Sequence, residues 1–204
     1  MTPYLRDPAA IYRRSFEIIR AETDFARLPP DAEPVATRII HACGMPEIAA
    51  DLRISEDFVS AATAALIAGK PVMADAEMVR NGIIDKQITV LCTLNDPRAR
   101  EIGVATGTTR SAAAVELWRD QLDGAVVVIG NAPTALFALL EMIDKGAPKP
   151  AAIVAFPVGF VGAAESKDEL HANPRGIPYA TLLGRKGGSA MAAAAVNALT
   201  RGAA

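Results

Sequence analysis

Hydrophobic positions along the chain follow two rhythms. Near the start, Ile11, Tyr12, Phe16 and Ile19 recur at helical intervals behind a capping Asp7 and a first-turn Pro8, which predicts an amphipathic helix with that stripe facing the core. A second helix is expected from about Asp31 to Cys43, closed by a left-handed Gly44. "SEDFVSAATAALIAGK" reads as a helix capped by Ser55 and ended by Gly69. The second rhythm is short and wholly apolar: "PVMAD", "ITVLCTL", "GAVVVIG" and "AAIVAFPV" have the character of strands. Helical stretches separate or follow them: "TTRSAAAVELWRDQL", "PTALFALLEMIDKG", "AAESKDELH" and "GGSAMAAAAVNAL".

Strands that are apolar on both faces and alternate with helices indicate a sheet covered on both sides. The expected architecture is a three-layer α/β/α domain spanning residues 1–204, flavodoxin-like and doubly wound, with a mainly parallel sheet of about five strands. No repeat or Pro-rich linker divides it; the "PP" at 29 and 30 only separates two helices. Ligands in such sheets collect beyond the carboxyl ends of the strands, which points to the turns after "VMAD", "VVVIG" and "AFPVGF".

Composition narrows the classes of partner. With 51% hydrophobic but only 5% aromatic residues, the interior is filled mainly by Ala, Val, Ile and Leu. A formal charge of -2 and no block of Lys or Arg leave no source of phosphate attraction, so nucleic acid is not an expected partner. The apolar stretch from Ala125 to Ile143 approaches the ~20 residues of a membrane span, but "GNAP" breaks it into strand, turn and helix. The charged N-terminus lacks the apolar core of a signal peptide, and Cys43 and Cys92 are far apart, as expected of reduced thiols. A cytoplasmic location without membrane attachment is therefore expected.

Several positions could carry chemistry. Asn131 stands where a strand meets the helix at Pro133, and free N–H groups there could hold an anion; the alternative is an ordinary βα turn. Gly188, with Gly187 and Ser189, could form an anion-binding helix start beside Arg185 and Lys186, although "GRKGGS" fits no dinucleotide or phosphate-loop spacing. Thr109 and Arg110 open a helix, and the guanidinium could fork onto a carboxylate. Ser166 follows an apolar strand without His and Asp partners, which favours a polar rim. No Cys or His pair has ligand spacing, so no metal is expected. His41 occupies the last turn of the second helix. Its negative pole favours imidazolium, apolar burial opposes it, and a pKa near neutrality would allow proton exchange. A structural histidine is the commoner use of such a position. His171, in "DELHANPRG", reads as a solvated loop residue.

Together, "IIHACGM", "TRSAAAVELW", "GNAPTALFALLEMI", "FPVGFVGAAESK" and "GRKGGSAMAAAAVNAL" resemble the precorrin-8X methylmutase (precorrin isomerase) family of cobalamin biosynthesis, in order and over nearly the whole chain. The resemblance implies a cofactor-free isomerisation, in which a methyl group moves from ring carbon eleven to ring carbon twelve of precorrin-8X to give hydrogenobyrinate. It also implies a homodimer, with His41 as proton donor and acceptor. Ser15 and Arg38 then count as substrate-binding positions, with Thr109, Arg110, Asn131, Ser166, Arg185 and Gly188 as candidates for the carboxylates at the ring's edge. A non-catalytic tetrapyrrole carrier would need the same pocket without a titrating histidine. The chain departs from the family pattern between "MVRNGI" and "VLCTL", where "IDKQIT" is a few residues short, and this puts contacts from Asp85, Lys86 and Gln87 in doubt.

Overall fold

A computed structural model describes residues 4–201. Six strands form one sheet: β1 (Leu52–Ile54), β2 (Val72–Ala74), β3 (Val90–Leu91), β4 (Val126–Ile129), β5 (Ala152–Ala155) and β6 (Tyr179–Leu182), in the order β1-β6-β5-β4-β2-β3. The parallel part, β3-β2-β4-β5-β6, has the flavodoxin-like order, with its switch point between β2 and β4. β1 adds an antiparallel edge, pairing Leu52 with Leu182 and Ile54 with Ala180. The expected sheet of about five strands thus gains a sixth, because neither β1 nor β6 is a long enough apolar run to stand out in the sequence.

Nine helices flank the sheet among the described residues: α1 (Pro8–Glu22), α2 (Glu33–Cys43), α3 (Phe58–Ile67), α4 (Glu77–Gly82), α5 (Pro97–Thr106), α6 (Arg110–Glu116), α7 (Pro133–Asp144), α8 (Ala163–Ala172) and α9 (Ser189–Arg201). Alternation along β4 shows how both faces are used. Val126 and Val128 join a core built with α1, α2, α3 and α9, while Val127 and Ile129 join one built with α7 and α8.

Local chemistry sets the helix ends. Asp7 accepts from the Ala10 N–H at 3.0 Å and opens α1, and Gly44, at φ 69°, closes α2. Only part of the α1 stripe is core: Phe16 and Ile19 are buried, but Ile11 and Tyr12 stand exposed. "ITVLCTL" contributes only Val90–Leu91 to the sheet, and the helix expected over "TTRSAAAVELWRDQL" stops at Glu116 before a separate turn at Arg119–Gln121.

Candidate active site

The reversed direction of β1 positions the site. Because β1 starts opposite Leu182, the end of β6, the connection from α2 to β1 crosses the carboxyl edge of the parallel strands, and the Leu183 N–H donates to Asp51 O at 3.0 Å. The last turn of α2 is thereby brought to that edge.

There, α1 and α2 pair their functional faces. Residues 12, 15 and 16 lie one turn apart on α1, as do 38 and 41 on α2. Ser15 Oγ lies 2.8 Å from His41 Nδ1. The imidazole rests at a 31° tilt on the Tyr12 ring, with centroids 5.3 Å apart, and meets Phe16 edge-on at 5.4 Å. Arg38 places its guanidinium carbon 5.8 Å from the Phe16 centroid. Burial pushes the His41 imidazole below its ordinary value, and the nearby Arg38 cation pushes the same way. Of the two opposing influences expected, burial thus outweighs the helix pole. Ser15 satisfies Nδ1, so Nε2 is the nitrogen left for a ligand. A cavity of about 220 Å³ adjoins the ring, lined in part by Ser15, Ile19, Ile40, His41 and Pro46.

A continuous rim leads away from this cluster. Glu47, next to Pro46, accepts from Lys186 Nζ at 3.0 Å, which ties the α2 end to the loop before α9. In that loop Arg185 covers the exposed Phe160 ring at 5.5 Å, its carbonyl accepts from the Gly159 N–H, and the Gly188 N–H donates to Phe156 O at 2.7 Å. Farther on, Gly162 packs on α7, where an added methyl group would sit 3.3 Å from Pro133 Cβ. Thr134 of α7 shares a 2.8 Å hydrogen bond with Thr109, whose hydroxyl also caps α6 by accepting from the Ala112 N–H. Arg110 and Asn131 stand exposed on this part of the rim.

Three expectations change. The N–H groups of Gly130, Asn131 and Ala132 are not free, because the buried Asp75 carboxylate accepts all three at 2.8–3.0 Å. Asn131 keeps only its side chain for a ligand. Ser166 is no rim residue: it is fully buried, and its hydroxyl donates to Ala163 O at 3.3 Å. His171 lies in the last turn of α8, not a loop, with Nδ1 2.6 Å from the hydroxyl of Tyr179.

The structure therefore gathers Ser15, Arg38 and His41 into one cluster, places Arg185, Gly188, Asn131, Thr109 and Arg110 along the rim, and leaves Ser166 beneath it. Tyr12 and Asp75 belong to this arrangement and had been missed. Tyr12 was legible as one helical turn from Ser15, whereas Asp75 had no local signal. The short segment "IDKQIT" sits elsewhere. Asp85 and Gln87 line a cavity with Leu199 of α9, ten residues and about 15 Å along that helix from Ser189. The Ile84 N–H donates to Asn197 Oδ1 at 3.0 Å, which pins the segment to that distal end.

Comparison with known proteins identifies the family. Residues 10–201 match the family model for precorrin-8X methylmutase. The precorrin-8X methylmutase of Pseudomonas aeruginosa is 56% identical over 98% of both chains. The cobalt-precorrin-8 methylmutase of Methanothermobacter thermautotrophicus is 39% identical over 93% of this chain and 90% of its own. A solved precorrin-8X methyl mutase from Thermus thermophilus superposes with a TM-score of 0.84 at 38% identity, covering 96% of each chain. The chain belongs to the precorrin-8X methylmutase family, isomerases of cobalamin biosynthesis.

Proposed function

We propose that the protein moves a methyl group from ring carbon eleven to ring carbon twelve of precorrin-8X, yielding hydrogenobyrinate, with His41 as proton donor and acceptor. The observation that carries this reading is the Ser15–His41 pair: one ring nitrogen is held by a hydroxyl at 2.8 Å and the other is left for the macrocycle. A proton delivered from Nε2 makes the conjugated ring electron-poor at the migration terminus and lowers the barrier to the shift; its return to the same nitrogen restores the catalyst. Alignment of the reacting carbons by the enclosing walls supplies the rest, and no cofactor enters the scheme.

A flat ring edged by carboxylates suits the rim. Arg38 lies near the histidine, while Arg110, Thr109, Asn131 and Arg185 supply the cation and hydrogen-bonding groups that carboxylates require; the Gly188 N–H, held by Phe156 O, shapes the turn instead. Metal-free precorrin-8X is the favoured substrate because the 56% identical relative bears that name, whereas the 39% identical one is named for the cobalt form. The cavity beside His41, about 220 Å³, is below the ~300–1,000 Å³ of usual ligand sites. The α1 surface next to it exposes Ile11, Tyr12 and Ile18. A second copy of the chain covers that face in this reading and completes the pocket, so the working enzyme is a homodimer, placed in the cytoplasm. Among the described residues no helix is long and apolar enough to cross a membrane.

The test is incubation with precorrin-8X while the visible spectrum is followed. Conversion to the hydrogenobyrinate spectrum without added cofactor supports the reading. Binding without conversion identifies a carrier instead.

A further inference from the structure

Doubly wound sheets offer their ligand crevice at the switch point, here the carboxyl ends of β2 and β4. In this protein a side chain already fills it. Asp75, directly after β2, is 2% exposed and sends its carboxylate across to β4. Oδ1 accepts from the Gly130 N–H at 2.9 Å, and Oδ2 accepts from Asn131 and Ala132 at 3.0 and 2.8 Å. These are the N–H groups leading into the 12-residue α7, whose positive pole adds to the attraction. The Asp75 N–H is itself tied to Val128 O at 3.2 Å, so backbone and side chain grip the same strand end. Gly130 leaves no slack: a methyl group there would lie 2.7 Å from Val79 Cγ2, 2.8 Å from Ser189 Cα and 2.9 Å from Ala192 Cβ.

The turn so fixed has two outward products. One is the Asn131 side chain, exposed on the rim. The other is the first turn of α7, where Thr134 holds Thr109 at 2.8 Å, directly before Arg110. We infer that Asp75 is a positioning residue for substrate binding: by occupying the α7 start as a permanent internal anion, it sets Asn131 and the Thr109–Arg110 turn at the spacing the tetrapyrrole carboxylates require. The inference rests on the methylmutase reading above. It also places the substrate's carboxylates on rim side chains and not on the N–H groups of Gly130, Asn131 and Ala132, which are already taken. Burial pushes the Asp75 carboxyl upward while the three N–H bonds pull it down, and accepting three donors on two oxygens is the work of the ionised form.

The experiment is a double-mutant cycle with precorrin-8X, using Asp75→Asn, Asn131→Ala and the pair. Asp75→Asn keeps the shape but turns an amide N–H toward backbone donors. It is expected to raise KM about 10-fold or more with kcat within about 3-fold, and to add clearly less than that to KM once Asn131 is already Ala, the remainder passing through the Thr109–Arg110 turn. Equal effects of Asp75→Asn in both backgrounds, or a lowered melting temperature with unchanged KM, overturn the inference and leave Asp75 a purely structural cap. If Asp75→Asn does not fold, Asp75→Ala purified and assayed in formate replaces it: formate refills the three N–H groups, so KM falls as formate rises. A KM indifferent to formate in a folded Asp75→Ala enzyme counts against the inference. Wild-type turnover in the same assay separates the two readings, since its absence refutes the methylmutase reaction and not the cap.

Discussion

The Ser15 hydroxyl and His41 Nδ1 are 2.8 Å apart although 26 positions separate them in sequence. This contact leaves Nε2 as the open imidazole nitrogen, and the imidazole plane rests against Tyr12. Ser15→Ala removes one hydrogen bond of about 0.5–1.5 kcal/mol, so kcat is expected to fall by up to about 10-fold. Hydrogenobyrinate affinity should stay within a few-fold. A titration beside a rate assay checks both, and an undiminished kcat would show that Tyr12 and Phe16 alone orient the ring.

His41→Ala separates shape from proton transfer. Its neighbours keep their packing, so product binding should persist, while turnover drops by ~10²–10⁴-fold, the usual cost of losing a general acid–base group. Near-normal turnover would remove His41 from the mechanism.

The pH dependence of kcat/KM carries the signature of the same group. If the imidazolium acts, kcat/KM falls as pH rises through the pKa of His41 in the free enzyme. Burial and Arg38 place that pKa below the ordinary imidazole value of 6.5. Arg38→Met removes the lowering cation, so the falling limb should move to higher pH even as KM rises. A limb that stays fixed would assign it to another group.

Arg110 stands exposed at the first position of α6. Arg110→Ala should leave the melting temperature within about 1 °C, because exposed charges contribute little to stability. It should weaken hydrogenobyrinate binding by about 1.5–3 kcal/mol, the range for a charge-assisted hydrogen bond to a carboxylate. Isothermal titration reads the difference, and unchanged affinity would place the carboxylates elsewhere.

Lys167, beneath the rim loop, offers a stability test. It is fully buried in α8, donates to Lys186 O at 2.6 Å, and is pushed down to about 8 by desolvation. The unfolded chain keeps its proton up to about pH 10.4, so between those values the unfolded state binds more protons and stability rises with pH. The penalty is therefore complete below pH 8 and relieved toward pH 10.4, a span on the order of 3 kcal/mol. Urea midpoints of wild type and Lys167→Met across this window should diverge in the wild type's favour as pH rises. Parallel curves would mean that Lys167 stays charged throughout.

Legibility from sequence tracked how local each signal was. β4, β5, α7 and α9 stood out because burial on both faces leaves long apolar runs and small-residue helices. β1 and β6 did not, since Arg53 and Thr181 interrupt them and the pairing that makes β1 a strand spans more than 120 residues. His41 stood out at a helix end, but its role, and the part given to Ser15 and Arg38, came from a resemblance; periodicity alone had no means of bringing α1 against α2. Asn131 was correctly placed at a turn before a helix, but the sequence could not reveal that a carboxylate 56 positions earlier already holds its N–H. Ser166 failed for a related reason, because a serine after a strand reads alike whether its helix turns it outward or into the core.

The antiparallel pairing of β1 also fixes a distance. Ser15, Arg38 and His41 belong to the first 54 residues, whereas Thr109, Arg110 and Asn131 ride on the doubly wound core. The register of Leu52, Arg53 and Ile54 on Leu182, Thr181 and Ala180 links the two lengths of chain at the sheet edge. A slip of one residue there would shift the strand by about 3.4 Å and turn Leu52 and Ile54 out of the core. Three backbone pairings thus act as a gauge between the Ser15–His41 cluster and the Asn131 and Arg110 rim, and in the proposed mechanism mutations that tighten or loosen them retune catalysis without touching a single group that meets the substrate.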